Sequence, residues 1–219
     1  MRVTIAQSCR IVAPLRVILH NQGDTMAKFF GNLHLVLAVG LVLAVGVMIQ
    51  FSGDPSAGAP VDANAILHWA HTFFGILWIG LLYYLNFVQV PTMPSVPAEL
   101  KKGVTGYIAP KVFFFFRYAA LLTVITGVWI AVNGGWAHEA FTLSGGGKFR
   151  LIGLGMWIAL LMAFNVWFLI WPAQKKILGL VEATDAEKTK AAPIALAASR
   201  TNLLLSLPMI YCMVSANIG

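Results

Sequence analysis

Two histidines stand three positions apart, His68 and His71, at the start of the apolar run HWAHTFFGILWIGLLYYLNFVQVP. Residues at this spacing share one face of a helix, and neutral imidazole is a ligand for haem iron, copper or zinc. The pair therefore predicts a haem or copper site. Further ligands available in the sequence are His138 and, for copper, the thioethers of Met48 and Met213. The alternative is that both histidines make ordinary polar contacts at a membrane interface or with a neighbouring helix.

The same run carries polar side chains along one helical face. Asn86 lies eighteen positions after His68 and, at about 100° per residue, returns to the same angle, with Gly75 and Gln89 close beside it. Lipid cannot satisfy such groups, so this stripe should face the interior of a helical bundle. Gly75 would let a neighbouring helix or a flat cofactor approach closely.

Polar residues interrupt the other apolar runs in a similar way. Arginine binds anions, amides hydrogen-bond the edges of a planar ring, and aromatic side chains stack on its face. An ionisable residue within a membrane predicts a functional site, although Arg117 can equally extend to the interface and each amide can join two helices. Together they favour a substrate cavity. The catalytic candidates are Arg117, Asn165, Arg200 and Asn202, and the substrate-binding candidates are Tyr84, Asn86, Gln89, Trp167 and Gln174.

The elements that position these residues are membrane helices. The 219-residue chain is 59% hydrophobic and 11% charged, whereas a soluble domain has about 25% charged residues. Runs close to the roughly 20 residues that cross a bilayer lack the alternation of a barrel strand. The fold class is therefore all-α, an integral membrane helical bundle of about five transmembrane helices, at residues 30–51, 65–90, 112–133, 151–171 and 194–215.

Prolines punctuate two of the connections between these helices. The segment between Pro91 and Pro110 should begin extended or turned and then form a short surface helix. The connection before the last helix is rich in Ala, Glu and Lys, and Pro193 at its end suits the first turn of that helix.

The formal net charge is +7, but the basic residues cluster in short loops that flank the helices, as orientation signals do. Nucleic acid is therefore not an expected partner. Lysines are concentrated between the second and third helices and between the fourth and fifth, and Lys148 and Arg150 in the third loop oppose this bias weakly. We expect a multi-pass protein of the bacterial inner (cytoplasmic) membrane, with the N-terminus inside and the C-terminus outside.

Residues 1–25 are expected to be a poorly structured N-terminal extension or to precede the true start, which is Met1 or Met26; residues 26–219 then form one transmembrane domain. The extension has three arginines and no long apolar core, so it is a poor signal peptide. Cys9 and Cys212 form no CxxC pair and suggest no disulfide.

Four segments in order resemble the membrane domain of the bacterial cytochrome c-coupled urate oxidases, also called urate hydroxylases. They are WAHTFFGILWIG, LLYYLNFVQVP, FNVWFLIWPAQKKILG and ASRTNLLLSLPMIYCMVSA. The resemblance covers about residues 26–217. It implies oxidation of urate to 5-hydroxyisourate, with electrons passed to a c-type cytochrome. It places the family's histidine on His71 and three further motifs on Asn165 to Trp167, Trp171 to Lys176 and Ser199 to Asn202.

The chain differs from this family pattern in two respects. It contains no CxxCH haem-attachment motif, so covalent haem is excluded and the expected electron acceptor is a separate c-type cytochrome. Asn217 stands where the family tends to carry a histidine, which weakens a bis-histidine haem with His71. A haem b or copper site at the histidines stays open.

The leading function is a membrane-bound urate oxidase-like enzyme that acts on urate or a similar purine. One alternative is a non-enzymatic electron-transfer subunit that binds haem or copper through His68 and His71. Another is a structural or transport protein in which the polar stripe holds helices together or lines a purine path.

Overall fold

A computed structural model of the chain describes residues 27–51 and 62–217. The predicted extension at residues 1–25 and the candidate start Met26 lie outside the described residues. The chain divides into two compact units, Met1–Val61 and Asp62–Gly219. In the first, a helical segment at residues 27–31 precedes helix α1, Leu33–Phe51. The Asn32 side chain caps α1 by accepting a hydrogen bond from the Leu35 backbone N–H at 3.1 Å.

The second unit contains four long helices and one short one. Helix α2 begins at Ala63 and continues to Ser95, and α3 runs from Ala98 to Asn133. After the short helix α4, Ala137–Thr142, come α5, Gly147–Ile177, and α6, Asp185–Ser215. Helix α2 packs mainly against α3, and α5 packs mainly against α6.

The described residues contain helices and turns but no strand. Five of the helices are long and apolar enough to cross a membrane, which confirms the predicted all-α class and the predicted number of long apolar helices. The length and composition of these helices suit a membrane span, and insertion into a membrane stays a prediction.

Two connections differ from the expectation. Helix α2 continues past Pro91 to Ser95, and α3 begins at Ala98, so the predicted extended segment is reduced to two residues. Helix α6 begins at Asp185, and Pro193 lies inside it rather than in its first turn. The reason is a capping box: the Thr184 hydroxyl accepts from the Glu187 N–H, and Glu187 accepts from the Thr184 N–H.

Proline also accounts for the places where the long helices depart from regular α-helix. Three single-turn π segments interrupt the long helices, at Tyr84–Gln89, Val104–Ile108 and Asn165–Ile170. Each ends two residues before a proline, at Pro91, Pro110 and Pro172. Proline has no N–H to donate and its ring crowds the carbonyl four residues earlier, so the preceding turn widens.

The core of the second unit is formed by large side chains of α2, α3 and α5. Trp78, Phe116 and Met162 are almost completely buried. A small residue lets α6 join them: a Cβ atom on Gly155 would lie 2.8 Å from the Cβ of Cys212, so only glycine permits this approach of α5 to α6.

Candidate functional site

The first of two polar regions is centred on Arg117 in α3. Its guanidinium carbon lies 3.8 Å from the ring centroid of Trp171 and 5.1 Å from that of Tyr118. Trp167 is also adjacent, with its ring centroid at 5.9 Å, and its Nε1 donates a hydrogen bond to the Arg117 carbonyl oxygen at 3.2 Å. Aromatic rings of α3 and α5 thus hold the cation in place.

The hydrogen-bond donors of Arg117 are not used by these contacts. Its Nε and Nη1 are buried and have no hydrogen-bond partner among the described residues, and no described carboxylate forms a salt bridge with it. A buried donor without an acceptor carries a desolvation cost of about 1–3 kcal/mol. An anionic or carbonyl oxygen of a ligand at this position would remove that cost.

The buried amides connect three helices. Asn165 Nδ2 donates to Asn202 Oδ1 at 2.9 Å, and Asn202 Nδ2 donates to the Met162 carbonyl oxygen at 2.9 Å. Asn86 Nδ2 donates to the Leu82 carbonyl oxygen and to Ser199 Oγ at 3.0 Å. All three asparagines therefore join helices by hydrogen bonds, as the alternative to a substrate-binding role predicted.

Two amide oxygens on α2 have no partner among the described residues. Asn86 Oδ1 and Gln89 Oε1 are both buried and lack a hydrogen bond within the described part of the chain. Both residues lie in the π segment of α2, and π segments are frequent at functional sites. Their oxygens can accept hydrogen bonds from the N–H groups of a ligand.

The side chains of the remaining residues predicted from the sequence form no hydrogen bond with Arg117 or with the buried asparagines in the described part of the chain. Arg200 is exposed on α6, although Ser199 and Asn202 on either side of it are not. Tyr84 and Gln174 are half-buried, and neither side chain has a hydrogen bond among the described residues. The structure brings Arg117 together with Trp167 and joins Asn165 to Asn202, whereas it does not bring Arg200, Tyr84 or Gln174 into these contacts.

The second polar region contains the histidines. His71 Nδ1 lies 3.0 Å from the Thr123 carbonyl oxygen and 3.2 Å from Thr126 Oγ1. A carbonyl oxygen can only accept, so Nδ1 carries the proton and Nε2 of the neutral ring keeps a free lone pair. His68 Nδ1 makes the same kind of bond to the Asn64 carbonyl oxygen at 2.8 Å. Both imidazoles thus present Nε2 as a ligand atom.

A cavity of about 1190 Å³ lies beside the histidines, between α2, α3, α5 and α6. Most of its lining is apolar, and Met156, Met209 and Met213 contribute thioethers. Its polar side chains are Asn64, His68, His71, Thr72, Trp78, Tyr83, Thr123, Trp136, Lys148 and Asn217. The Trp78 indole N–H in this lining is buried and lacks a partner among the described residues.

The cavity fits some of the predicted ligand sets and not others. Met213 lies in its lining, but His138 does not, and Met48 belongs to the other unit. Within residues 27–51 and 62–217 no group of three or more His, Cys, Asp or Glu side chains is placed to hold a metal ion. The residues that line the cavity suit a flat, largely apolar cofactor with one imidazole ligand better than they suit a single metal ion.

The two polar regions lie along the same helices. Tyr83 lines the cavity, and its hydroxyl lies 3.1 Å from Ser206 Oγ on α6. Asn86 is three residues further along α2, and Ser199 is two helical turns before Ser206. The cavity therefore reaches to within about one helical turn of the buried amides.

Sequence reasoning missed the partners that hold these groups. Trp171 provides the ring closest to Arg117, and Thr123 and Gly127 provide the surface against which His71 lies. A Cβ atom on Gly127 would be 2.8 Å from His71 Cε1. The available signal was the stripe of small and hydroxyl residues on α3, at Ala119, Thr123, Thr126 and Gly127, which predicts close packing of another helix.

Comparison with known proteins concerns the second half of the chain. Residues 111–219 match the model of a family described as urate oxidase N-terminal. Comparisons with curated proteins and with solved structures gave no match. The matched part includes Arg117, Asn165, Trp167 and Asn202, whereas both histidines and Asn86 lie before it. The match relates residues 111–219 to a urate oxidase-related family.

Proposed function

We propose that this protein is a membrane-bound oxidoreductase that oxidises urate, or a closely similar purine, and passes the electrons to a separate c-type cytochrome. The observation that carries the proposal is the Arg117 guanidinium, which lies on the Trp171 ring with two buried and unused donor atoms. This group lies within the part of the chain that matches the urate oxidase family model.

The chemistry of urate fits the unused donors of Arg117 and the unpaired amide oxygens of α2. Urate is a flat purine anion with carbonyl oxygens and N–H groups at its edges. The Arg117 donors can bind an oxygen of the anion, and the Asn86 and Gln89 oxygens can accept from ring N–H groups. Trp167, which lies beside Arg117, is the proposed stacking side chain. Asn165 and Asn202 act as positioning residues, because their hydrogen bonds join α5 to α6.

The proposed reaction is a two-electron oxidation. Urate and water give 5-hydroxyisourate, two protons and two electrons, with a new bond between the purine carbon and the water oxygen. Each of two c-type cytochrome molecules then accepts one electron. The described residues would bind and orient the purine and exclude bulk water from it.

The charge distribution supports the proposed location. The lysine-rich loops next to Lys102 and Lys176 favour the cytoplasmic side, and the Arg117 region lies towards the same ends of α2 and α5. We propose that the purine enters from the cytoplasm of a bacterial cell, through a protein of the inner membrane whose C-terminus is outside.

The second candidate is an electron-transfer subunit without urate oxidation. The His71 geometry favours it, because an imidazole with Nδ1 fixed by a backbone carbonyl and Nε2 free is the usual arrangement of a metal-binding histidine. This candidate predicts a redox cofactor and indifference to urate.

The test is urate-dependent reduction of added cytochrome c by membranes that contain or lack the protein. Replacing Arg117→Gln removes the charge-assisted hydrogen bonds, each worth about 1.5–3 kcal/mol, so turnover should fall about ten- to a hundredfold. Arg117→Lys should recover only part of it, since lysine lacks the planar fork. The matched control is Arg150→Gln, an exposed arginine at the start of α5.

Three results would overturn the proposal. The first is no urate-dependent reduction by membranes with folded protein and several c-type acceptors. The second is full activity in Arg117→Gln. The third is equal loss in Arg150→Gln, which would indicate a general effect of charge.

A further inference from the structure

We infer that the cavity beside the histidines holds one non-covalently bound iron tetrapyrrole, a b-type haem, with Nε2 of His71 as an axial ligand. The proposed ligand, His71, lies before residue 111 and so outside the family match, whereas most of the cavity lining lies within the match. The inference does not depend on urate as the substrate.

The orientation of His71 is the first reason. Its Nδ1 donates to the Thr123 carbonyl oxygen at 3.0 Å, which fixes both the tautomer and the plane of the ring. Metal-binding histidines almost always donate their second nitrogen to a carbonyl, carboxylate or water, which raises the basicity of the ligating nitrogen. His71 also lines the cavity. Among the described residues no hydrogen bond occupies Nε2, so it is the nitrogen of this cavity-lining histidine that remains to bind a metal.

The close approach of the ring to α3 is the second reason. A Cβ atom on Gly127 would lie 2.8 Å from His71 Cε1 and 3.2 Å from Nδ1. Such distances are too short for any side chain, so the imidazole occupies the space that a larger residue would fill. The packing of α2 against α3 thus holds the ring in one place.

The size and chemistry of the cavity are the third reason. A volume of about 1190 Å³ is at or above the upper end of typical ligand pockets, about 300–1,000 Å³, and far exceeds the needs of a single metal ion. Its apolar walls suit a porphyrin face, and thioethers at Met209 and Met213 are in the class of side chains that can complete haem coordination. Lys148 and Asn217 in the lining suit the carboxylates of such a cofactor.

The roles of the neighbouring residues follow from geometry. His68 and His71 lie on one face of one helix, so they cannot bind opposite faces of one porphyrin. His68 is therefore not the second axial ligand. Covalent attachment is excluded, because the sequence has two cysteines, Cys9 and Cys212, and no CxxCH.

The experiment is a visible spectrum of the purified full-length protein, oxidised and reduced, after expression with a haem precursor. Haem content is measured separately as the pyridine haemochrome. We expect about one haem per chain, loss of most of it in His71→Ala, and retention in His68→Ala. The control is His138→Ala, an exposed histidine outside the cavity lining, which should match the unmodified protein.

A second variant guards against misfolding of His71→Ala. Gly127→Ala keeps the imidazole but displaces it, so the protein should elute as a folded species with reduced haem content or shifted bands. If haem is lost only in variants that aggregate, the result counts against the inference. An unchanged spectrum in both His71→Ala and Gly127→Ala also counts against it. Absence of haem after incubation with haemin would overturn it, and copper bound through His68 and His71 would replace it with a copper centre. Since no assay uses urate, failure here leaves the proposed oxidase activity to be judged separately.

Discussion

The buried amide side chains differ in how many of their hydrogen-bonding atoms are already in use. Asn202 uses its oxygen for Asn165 and its nitrogen for the Met162 carbonyl. Asn86 uses its nitrogen twice but leaves its oxygen without a partner among the described residues. A side chain whose polar atoms are paired within the protein supports packing, whereas an unused buried oxygen is available to a ligand. Asn202 is thus expected to matter mainly for stability.

The prediction for Asn202 is a loss of stability. Asn202→Ala leaves the Asn165 side-chain amide without its acceptor and removes the side-chain donor to the Met162 carbonyl, so the free energy of unfolding should fall by about 1–3 kcal/mol. Unfolding by denaturing detergent measures it. A double-mutant cycle with Asn165→Ala should give a coupling of about 0.6 kcal/mol and at most about 1.7 kcal/mol.

The matched control for this cycle is Asn217→Ala. Asn217 is exposed and donates only to the Met213 carbonyl of its own helix. A loss in Asn202→Ala no larger than in Asn217→Ala would show that the buried amide pair does not hold α5 to α6.

Some of the site could be predicted from residue type and spacing alone. The polar face of α2 was found because Asn86 and His68 repeat at the helical period, and the structure does bury Asn86. The exposure of Arg200 could not be found in this way, because periodicity gives the angle between Arg200 and Asn202 but not which angle faces a neighbouring helix. The hydrogen-bond acceptor of His71 could not be predicted either, because Thr123 lies 52 residues further along the chain.

At the level of whole helices, the prolines decide where the backbone departs from α-helix. The predicted runs located all five long helices because twenty-residue apolar runs are an unambiguous signal. Their ends were less well predicted. Hydropathy does not detect the Thr184 and Glu187 capping box that starts α6 early, nor does it show that α2 continues through Pro91 by widening into a π turn.

The π segments predict where the chain tolerates a deletion. A π turn carries one residue more than the α turn it replaces, so removing one of its residues shortens this turn without rotating the later turns of the helix. Deletion of Tyr107, in the π segment Val104–Ile108, should leave α3 packed as before. Deletion of Leu121, in regular α-helix, should rotate Thr123 about 100° away from His71 and unfold the protein.

This pair of deletions is well matched, since Tyr107 and Leu121 lie in the same helical span and both side chains are exposed. Size-exclusion elution and thermal unfolding in mild detergent distinguish the two outcomes. Equal tolerance of both deletions, or loss of folding in the Tyr107 deletion, would show that the π segment does not act as an inserted residue.

Within the unit Asp62–Gly219, the two polar regions lie towards opposite ends of the bundle. The cavity takes its lining from the start of α2 and α5 and from the end of α6. The Arg117 region takes its residues from the middle of α3 and the later parts of α2 and α5. Because α6 runs antiparallel to α2 and α5, its end lies beside their starts. A substrate from one side of a membrane and an electron acceptor on the other side could therefore both be served by one bundle.

This arrangement makes membrane orientation a decisive prediction. Lysine is concentrated at the Arg117 end, with Lys102 near the start of α3, Lys176 at the end of α5 and Lys188 near the start of α6. At the cavity end, Lys148 and Arg150 are balanced in part by Glu139. Short basic loops stay in the cytoplasm. The loop after α4 should then be outside the cell membrane and the loop before α6 inside.

Single cysteines in the loop after α4 and in the first turn of α6 measure the orientation, after both native cysteines are replaced by serine. Ser144→Cys and Ala186→Cys change exposed positions at opposite ends of the bundle. A membrane-impermeant maleimide should label Ser144→Cys in intact spheroplasts and Ala186→Cys only after lysis. The reverse pattern would place Arg117 on the outer side and would contradict entry of a cytoplasmic purine. Labelling of both in intact spheroplasts would argue against a bundle that crosses the membrane between them, and with it against electron transfer from one side to the other.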